Sequence, residues 1–385
     1  MAVRVAYLLG TYPSSSETFL ARELAAVAQH GIELRLAALQ TGGAPLPGVR
    51  YRSSSPTPVS VDPRLAARLL TGDGRLSDGG WATPALRLRW LRNVAFAAEL
   101  AAWCRAEGCH LLHAAWSGLP AQIAWMARQL GGPPYTVAAH AHDVFCPAEA
   151  LHTALAGARG ITCCNRAAAQ VLAARGPWRG RLAWLPHGLD LGEWSAREGE
   201  PDGPAHVVAV GRLVRKKGFD TLLAAAAKLP EVRVTIVGDG PERAALARQA
   251  AGLGERVVLT GQLAPAEVRA ALRAATVLAL PSRVDAAGDR DGLANVLLEA
   301  LATGLPVVTT RAGSAADAVH DGRTGLLVPP DDAPALAGAL RHLAQDRSLR
   351  MQLAAAGRRL VEERFDLERN GAAMARWLAR LAEGT

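Results

Sequence analysis

Short apolar runs alternate along this chain with segments whose apolar residues recur at helical spacing, and this alternation restricts the fold more than any other feature. It predicts parallel strands joined by crossover helices. In the second half we expect strands at His206–Val210, Val232–Val237, Val257–Thr260 and Val277–Leu280, and helices at Phe219–Lys228, Pro241–Leu253 and Pro265–Ala274. The pattern is typical of a doubly wound parallel sheet.

The first half shows the same alternation with one interruption. Strands are expected at Val3–Leu9, Ile32–Leu39, Leu111–Ala115 and Tyr135–Ala139, and helices at Glu17–His30 and Leu119–Leu130. Residues 41–80 are rich in Gly, Pro and Ser. We expect an irregular excursion there, with one helix near Pro63–Leu70.

The segment Trp194–Pro204 is polar and rich in Gly and Pro, which is typical of a linker. A chain of 385 residues also exceeds what one hydrophobic core usually supports. We predict an N-terminal domain over residues 1–195 and a C-terminal domain over residues 196–365, with a cleft between them. The last helix, 366–385, is expected to pack back on the first domain. The predicted fold class is α/β with two Rossmann-like sheets.

Composition and charge exclude several classes of protein. The formal net charge of +8 favours anionic ligands. The arginines are scattered, without a basic block or interleaved aromatic residues, so no nucleic acid partner is expected. Five cysteines without metal-ligand spacing indicate a reducing cytoplasm. The first residues predict a strand and a loop rather than a secretory signal, and no stretch reaches the roughly 20 apolar residues that span a bilayer.

A loop dense in cations follows the first strand of the second half. In GRLVRKKGFDTLL, Gly211–Leu223, Arg212 and Lys217 stand between an apolar strand and an amphipathic helix. Ligands of open parallel sheets bind beyond the carboxyl ends of strands, where helix N-termini attract anions. We expect both side chains to contact a diphosphate that gains charge as it leaves. A solvated cationic loop is the alternative.

Two carboxylates lie around the start of a later helix. In DGLANVLLEALATGLPVV, Asp291 precedes Glu299 by eight residues, with the helix beginning between them. An ionised carboxylate accepts hydrogen bonds from two hydroxyls, which suits a sugar or a ribose diol. The alternative is an ordinary acid at a helix N-terminus followed by a solvated glutamate.

Several motifs together resemble the retaining glycosyltransferases of the GT-B fold, in particular the fourth glycosyltransferase family, the glycosyl transferases group 1. The resemblance covers nearly the whole chain. The motifs are YPSSSETFLARELAAVAQHGIEL from Tyr12, HAHDVF from His140, PHGLDL from Pro186, VGRLVRKKGFDTL from Val210, VGDGPE from Val237, and EALATGLPVVTT followed by DGRTGLLVPPDD. SETF and the loop PSRVDAAGDRDG are similar to the colanic-acid and amylovoran type of exopolysaccharide enzymes.

The resemblance implies a role for each matched position. Arg212 and Lys217 would bind the donor diphosphate and Glu299 the ribose. Asp291 would bind sugar hydroxyls near C3, and His140 would face the donor sugar near the reaction centre. The implied catalytic residues are His140, Arg212, Lys217 and Asp291. The implied donor site comprises Gly211, Arg212, Lys217, Gly238, Asp291, Gly292, Leu293, Ala294, Asn295 and Glu299.

Acceptor contacts are expected in the first domain. Ser16 and Glu17 stand at the first strand-to-helix turn, where hydroxyls ordinarily cap a helix and could also touch donor phosphate or acceptor. His142 and Asp143 would support His140 or line the acceptor side. A histidine packed at a strand terminus is the alternative interpretation of His140.

Two acids depart from the family pattern, and no divalent metal is expected. Asp291 stands where glutamate is usual, and Asp317 where glutamate is commoner, so the sugar preference or the activity could differ. His140 and His142 have a spacing that could recruit a metal, but a third ligand is not evident. The triplet formed by Asp289, Arg290 and Asp291 resembles the metal-binding triplet of the other glycosyltransferase fold, and we interpret it as coincidental.

The expected function is transfer of a sugar, with retention, from a UDP- or GDP-linked donor to a hydroxyl of a glycan or lipid-linked saccharide. The resemblance suggests exopolysaccharide or other cell-surface polysaccharide biosynthesis and front-face displacement. Transfer to a small natural product and non-catalytic binding of a sugar nucleotide are the alternatives. Arg87, Arg89 and Arg92 lie among apolar residues and could contact an anionic membrane, which would place the protein at the inner membrane face. A solvated helix packed over the first sheet is the alternative.

Overall fold

Two separate parallel sheets with flanking helices organise the chain, and this confirms the α/β class predicted from the alternation. The computed structural model describes residues 2–14, 18–52, 84–147, 151–201 and 203–384, with the side chains of residues 18 and 84–89 excepted. The chain divides into unit 1, Met1–Gly188 with Leu367–Thr385, and unit 2, Leu189–Asp366.

Unit 1 holds a seven-stranded parallel sheet in the order β3-β2-β1-β4-β5-β6-β7. The strands are β1 Val3–Thr11, β2 Ile32–Gln40, β3 Val49–Tyr51, β4 Leu111–Ala114, β5 Tyr135–Ala139, β6 Gly160–Cys163 and β7 Leu182–Trp184. The helices are α1 Thr18–Gln29, α2 Pro84–Ala106, α3 Leu119–Gln129, α4 Ala141–Phe145, α5 Leu151–Ala156, α6 Arg166–Arg175 and, from the end of the chain, α13 Leu367–Glu383.

The central strand β1 is buried on both faces, as parallel sheets covered by helices require. Val5, Tyr7 and Leu9 pack on the side of α1 and α13. Ala6 and Leu8 pack on the other side, with α2 and α3. Side chains of a strand alternate between the two faces of its sheet, so β1 contributes to two separate clusters of core residues.

Helix α13 lies against α1 within unit 1. Trp377 and Leu378 of α13 are buried in the same cluster as β1. A Cβ at Gly371 would lie 2.5 Å from the Cβ of Ala26, so glycine allows the two helices to approach closely. The helix that closes one face of unit 1 therefore comes from the far end of the sequence.

Unit 2 holds a six-stranded parallel sheet in the order β10-β9-β8-β11-β12-β13. The strands are β8 His206–Val210, β9 Arg233–Val237, β10 Val257–Gly261, β11 Val277–Leu280, β12 Val307–Thr310 and β13 Leu326–Val328. The helices are α7 Phe219–Ala226, α8 Arg243–Ala251, α9 Pro265–Ala274, α10 Asn295–Thr303, α11 Ala333–Gln345 and α12 Arg347–Arg364.

The division between the units lies after Gly188, earlier than the expected boundary after residue 195. Leu189 already belongs to unit 2, because its N–H donates to the Phe365 carbonyl at 2.7 Å and it forms a bridge with Asp366. Leu189 and Trp194 are also buried in the unit 2 core. The polar linker signal starts after this anchor, so composition placed the boundary too late.

The helix expected near Pro63–Leu70 lies outside the described residues. Within the described ranges, no helix combines the length and the apolar character needed to cross a bilayer.

Candidate functional site

The loops that follow β8 and β11 meet at the centre of the unit 2 sheet. These strands are neighbours in the sheet although they are not consecutive in the chain, so this is the topological switch point where doubly wound sheets bind ligands. Gly218, with φ 68°, closes the first loop. A Cβ there would lie 2.0 Å from the carbonyl oxygen of Pro281 in the second loop. Glycine is therefore required for the two loops to approach.

A cluster of ion pairs joins the two loops. Lys217 Nζ lies 2.8 Å from Asp291 Oδ2, which also accepts a hydrogen bond from Ser282 Oγ at 3.0 Å. Lys216 Nζ lies 2.9 Å from Asp289 Oδ2 and 3.9 Å from Asp291 Oδ1. The side chains of Lys217 and Asp291 are each 13% exposed. We call these two lysines and two aspartates the switch-point cluster; within it the formal charges balance.

Lys216 and Ser282 are members of this site that sequence reasoning missed. Lys216 stands next to Lys217 in one basic run, so the composition of the loop was a usable signal. Ser282 carries no comparable signal, because only the end of β11 brings its hydroxyl to Asp291.

Arg212 begins the same loop and is exposed. Among the described residues, its guanidinium has no hydrogen bond or ion pair. It differs in this from Lys217, whose charge is already matched by Asp291. An anion that reaches the loop can pair with Arg212 without displacing another group.

Two of the predicted glycines bring the ends of β8 and β9 into backbone contact. Gly238 adopts φ 139°, and a Cβ there would lie 2.0 Å from the Gly211 carbonyl oxygen. The Gly211 N–H donates to the Val237 carbonyl at 3.0 Å. These glycines shape the loop that carries Arg212 and Lys217, since any side chain at residue 238 would push β8 away.

Helix α10 begins at Asn295, with Ala294 as an N-cap that has no side-chain hydrogen bond to the helix. The N-terminal N–H groups of such a helix favour an anion. Glu299 lies within α10 and is half-buried. Gly313, with φ 66°, supports the preceding loop, because a Cβ there would lie 2.1 Å from the Asp291 carbonyl oxygen. The predicted donor residues 291–295 and 299 thus belong to one loop and the helix that follows it.

Three neighbouring strands of unit 1 end in side chains that meet. His140 follows β5, Cys164 follows β6, and His187 comes shortly after β7. One ring nitrogen of each histidine and Cys164 Sγ lie within 4.8 Å of one another. The Nε2 atoms of His140 and His187 are 3.1 Å apart, and the ring planes differ by 8°. We call these residues the strand-end cluster; their ligand atoms are close enough together to hold a metal ion.

His187 is held by Glu23 of α1, whose Oε2 lies 2.8 Å from His187 Nδ1. Burial lowers the pKa of His187, but Cys164 and Glu23 outweigh it and raise this pKa to about 10. Burial raises the pKa of Glu23, but the hydrogen bond and the charge of His187 hold it below its ordinary value. Glu23 and His187 therefore form an ion pair at neutral pH.

His140 is neutral in these surroundings. Burial lowers its pKa well below the ordinary value, and the charge of His187 lowers it further. Its ring packs against Trp116, with centroids 4.2 Å apart, and against Phe19 at 5.6 Å. Its Nδ1 has no hydrogen-bond partner among the described residues. A neutral imidazole can exchange a hydrogen bond with a hydroxyl but does not stabilise an anion by charge.

The predicted acceptor residues differ in burial and in hydrogen bonding. Asp143 Oδ2 accepts hydrogen bonds from Ser117 N at 2.9 Å and Ser117 Oγ at 3.1 Å, and burial raises the pKa of Asp143. Asp143 thus ties the start of α4 to the loop after β4, whereas His142 is exposed. Ser16 and Glu17 lie outside the described residues.

Glu23, Cys164 and His187 were not anticipated from the sequence. His187 stands in PHGLDL, a motif noted without a role, and Glu23 in the segment that begins at Tyr12. The order β5-β6-β7 brings these distant segments together. Local patterns do not report which strands become neighbours.

Comparisons with known proteins show the family to which the chain belongs. Residues 204–346 match the family model described as Glycosyl transferases group 1. A GDP-mannose-dependent alpha-(1-6)-phosphatidylinositol monomannoside mannosyltransferase of Mycolicibacterium smegmatis is 33% identical over 301 residues, 71% of this chain and 78% of that protein. WcaL of Escherichia coli K12, a candidate colanic acid biosynthesis glycosyltransferase, is 34% identical over 174 residues, 43% of each chain.

A solved structure supports the fold as well. Anabaena HepE, in complex with UDP and glucose, matches with a TM-score of 0.73 over 98% of this chain and 99% of that one, at 18% identity. At 18% identity, this similarity supports the two-sheet architecture alone. The mannosyltransferase is 33% identical and 78% of its length is covered, so it shows the family of this chain. The chain belongs to the group 1 glycosyltransferases, has the GT-B fold, and is a glycosyltransferase.

Proposed function

We propose that unit 2 binds a nucleotide sugar at the switch point between β8 and β11, and that the enzyme transfers the sugar to a hydroxyl of a glycan or lipid-linked saccharide. The observation that carries this proposal is the switch-point cluster. Lys216 pairs there with Asp289 at 2.9 Å and Lys217 with Asp291 at 2.8 Å, and both aspartates lie on the loop that leads into α10. A sugar diphosphate needs both kinds of group, cations for phosphate and carboxylates for hydroxyls.

The diphosphate is proposed to lie against Arg212 and Lys217. Arg212 is exposed, and the N-terminus of α10 adds positive potential nearby in the same sheet edge. The leaving nucleoside diphosphate gains charge as the glycosidic bond breaks, so preorganised cations stabilise the transition state more than the bound donor. Glu299, further along α10, is proposed to bind the ribose.

Asp291 is proposed to bind the donor sugar. Its Oδ2 is engaged by Lys217 and Ser282, whereas Lys216 Nζ lies 3.9 Å from its Oδ1. A carboxylate oxygen has two lone pairs, so Oδ1 can accept a hydroxyl near C3 of the sugar. Lys217 would then hold the carboxylate in place while it also faces phosphate.

Transfer is proposed to retain the anomeric configuration by front-face displacement. The departing phosphate accepts the proton of the acceptor hydroxyl, so a protein nucleophile is not needed. His140 is proposed to face the donor sugar and, being neutral, to contribute a hydrogen bond rather than a charge. Arg212, which carries no ion pair among the described residues, and Lys217 would face the diphosphate together with the N-terminus of α10, so we propose that no divalent metal is required there.

The acceptor is proposed to be bound by unit 1, through His142 and Asp143 and through Ser16 and Glu17. The name of the M. smegmatis relative includes a phosphatidylinositol monomannoside and that of WcaL includes colanic acid, so lipid-linked and exopolysaccharide acceptors are both candidates. The same relative's name includes GDP-mannose, and HepE was solved with UDP. We therefore propose a UDP- or GDP-linked donor and, for a lipid-linked acceptor, peripheral contact at the cytoplasmic face of the membrane.

The test is a panel of UDP- and GDP-sugars incubated with the full chain and an acceptor mixture, with released nucleoside diphosphate and the anomeric configuration of the product as readouts. Arg212→Ala and Lys217→Ala should each lower turnover about 100-fold or more. Lys228→Ala, at an exposed lysine of the same unit, is the control. Near-normal turnover by both site variants would remove the assigned site, and an inverted product would refute retention.

A further inference from the structure

The strand-end cluster of unit 1 has a composition that the proposed function does not explain. His140, Cys164 and His187 follow three strands that are neighbours in the sheet. One ring nitrogen of each histidine and the cysteine sulfur lie within 4.8 Å of one another. Sugar transfer as proposed above uses only His140 and gives Cys164 no role. Two imidazoles and a thiol, however, are a common ligand set for zinc.

The spacing of the three atoms suits a tetrahedral zinc ion. Zn–N bonds of about 2.0–2.1 Å and Zn–S bonds of about 2.3 Å place ligand atoms about 3.3–3.6 Å apart. His140 Nε2 and His187 Nε2 are 3.1 Å apart. Cys164 Sγ lies within 4.8 Å of a nitrogen of each ring and would have to move by about 1.3 Å at most, which a rotation of its side chain supplies.

The surroundings of His187 are those of a zinc-binding histidine. Glu23 Oε2 lies 2.8 Å from its Nδ1, on the side of the ring opposite to the cluster. Histidine ligands of zinc typically donate their second N–H to such a carboxylate, which fixes the ring and directs Nε2 to the metal. Phe19 and Trp116 hold the two imidazoles further, with ring centroids 4.3 Å from His187 and 4.2 Å from His140.

Ligand chemistry, charge and space agree on the kind of ion. A thiolate with two imidazoles favours zinc over magnesium or calcium, which prefer oxygen ligands. Zinc would replace the Nε2 proton of His187 and the thiol proton of Cys164, and both protons would be released to solvent. The two charges of zinc would then be balanced by the Cys164 thiolate and the Glu23 carboxylate, so the site would bury no net charge. A cavity of about 20 Å³, lined by Glu23, His140, Cys164 and His187 among others, has room for one water as a fourth ligand.

We propose that unit 1 binds one zinc ion through His140, Cys164 and His187, with Glu23 orienting His187 and the fourth position open to water. This site lies in the other unit from the diphosphate site, where no metal is proposed. From sequence, His140 and His142 lacked a third ligand; in the structure Cys164 and His187 stand beside His140 instead. The inference rests on contacts within unit 1 and does not depend on sugar transfer.

The first experiment measures metal on the full chain. Protein purified without chelator and desalted should carry about one zinc per chain by mass spectrometry. After removal of the metal, titration with Co²⁺ should reach one equivalent and produce the near-ultraviolet charge-transfer band of a cobalt–thiolate bond. Zinc-loaded wild-type chain that retains no zinc, or a cobalt derivative without this band, would overturn the proposal.

Variants assign the ligands. Cys164→Ser should abolish the cobalt–thiolate band, and both Cys164→Ser and His187→Asn should weaken zinc binding by more than about 100-fold, beyond the effect of an outer-shell partner. Glu23→Gln should weaken it by about 10–100-fold and keep the band. Cys109→Ser and His152→Asn, at a half-buried cysteine and an exposed histidine of unit 1, are the controls and should bind normally.

Two further readouts keep the outcome decisive. Circular dichroism identifies a variant that fails to fold, and the cobalt titration of the wild-type chain needs no variant at all. Unchanged zinc affinity in folded Cys164→Ser would overturn the assigned ligands. Sugar transfer is measured on the same preparations, so a chain that binds zinc and transfers no sugar would contradict the proposed function and leave the zinc site standing.

Discussion

Lys217 Nζ and Asp291 Oδ2 are 2.8 Å apart, so the residue predicted to bind phosphate and the residue predicted to bind sugar hydroxyls are paired with each other. Ser282 Oγ completes this contact at 3.0 Å. Glutamate, the usual residue of the family at position 291, is one methylene longer and would carry its carboxylate beyond this position. The shorter acid is therefore matched to its two partners.

Asp291→Glu and Asp291→Asn test this match. Asp291→Glu should change the ranking of nucleotide sugars by about tenfold or more, because a misplaced carboxylate leaves hydrogen bonds to the sugar unmade. Asp291→Asn should lower turnover with every donor by about 10–100-fold, since it removes the charge that holds Lys217. Initial rates across a donor panel measure both effects. Glu255→Gln, at an exposed glutamate of the same unit outside the switch-point cluster, is the control, and an unchanged donor ranking in Asp291→Glu would contradict the role of residue 291.

Gly238→Ala should destabilise unit 2 by about 1–3 kcal/mol. The new Cβ would meet the Gly211 carbonyl oxygen at 2.0 Å, in a backbone conformation that side chains rarely adopt. Gly338→Ala is the opposite case: it lies within α11 with nothing within 4 Å of its Cβ, and should stabilise by about 0.5–1 kcal/mol. Urea unfolding measures both, and equal effects of the two changes would show that the close approach is not rigid.

Glu200 and Arg350 make the stability of unit 2 dependent on pH. Both Glu200 oxygens accept hydrogen bonds from Arg350, at 2.8 Å each, and these bonds lower the pKa of Glu200 despite its burial. A carboxyl with a lowered folded-state pKa stabilises the fold above its unfolded-state pKa, and loses this contribution as pH falls through the folded-state value. The stabilisation contributed by this ion pair is thus fully present at neutral pH and declines in acid.

Glu200→Gln should therefore cost about 2 kcal/mol at pH 7 and progressively less below about pH 4. Denaturant unfolding of the wild type and the variant at several pH values provides the difference. Glu255→Gln, at an exposed glutamate of the same unit, should cost little at any pH. A wild-type advantage that stays constant from pH 7 to pH 3 would rule out the ion pair as its source.

Replacement of Arg87, Arg89 and Arg92 by glutamine tests the membrane prediction. Each arginine near an anionic surface contributes about 1 kcal/mol, so the triple variant should bind anionic vesicles roughly 100-fold more weakly. Co-sedimentation at low and high salt, with neutral vesicles alongside, measures this. Exposed arginines of unit 2 serve as a matched control triple: Arg233, Arg248 and Arg323. Equal binding by both triples would assign the attraction to net charge rather than to this helix.

The alternation of apolar runs predicted the strands well because strand and helix periods are local properties of the chain. It could not predict which strands become neighbours, and the positions of the candidate site residues depend on that strand order. Glu23 and His187 are far apart in sequence and 2.8 Å apart in the structure, because α1 places Glu23 beside the segment that follows β7. Lys217 and Asp291 were predicted as separate contacts with a donor, and their mutual ion pair was not expected.

The proposed donor site rests partly on the resemblance and partly on the geometry of unit 2. Gly238 was predicted from its motif to bind the donor; the structure shows why the residue is glycine, since a Cβ would collide with Gly211, and the donor role stays a prediction. Ser282 belongs to no motif, and its contact with Asp291 depends on how the loop after β11 folds back. The domain boundary was placed too late because Leu189 and Trp194 are core residues that precede the polar linker.

The packing of α13 on β1 has a consequence for the order of events on the ribosome. Val5, Tyr7 and Leu9 emerge long before Trp377 and Leu378, which cover the same face, because all of unit 2 lies between them in the sequence. At about 5–20 residues per second, this interval lasts about 20–70 s. Unit 2 can complete its core in that time, while nascent unit 1 keeps an apolar surface open to chaperones. Maturation of unit 1 is therefore timed by translation of α13.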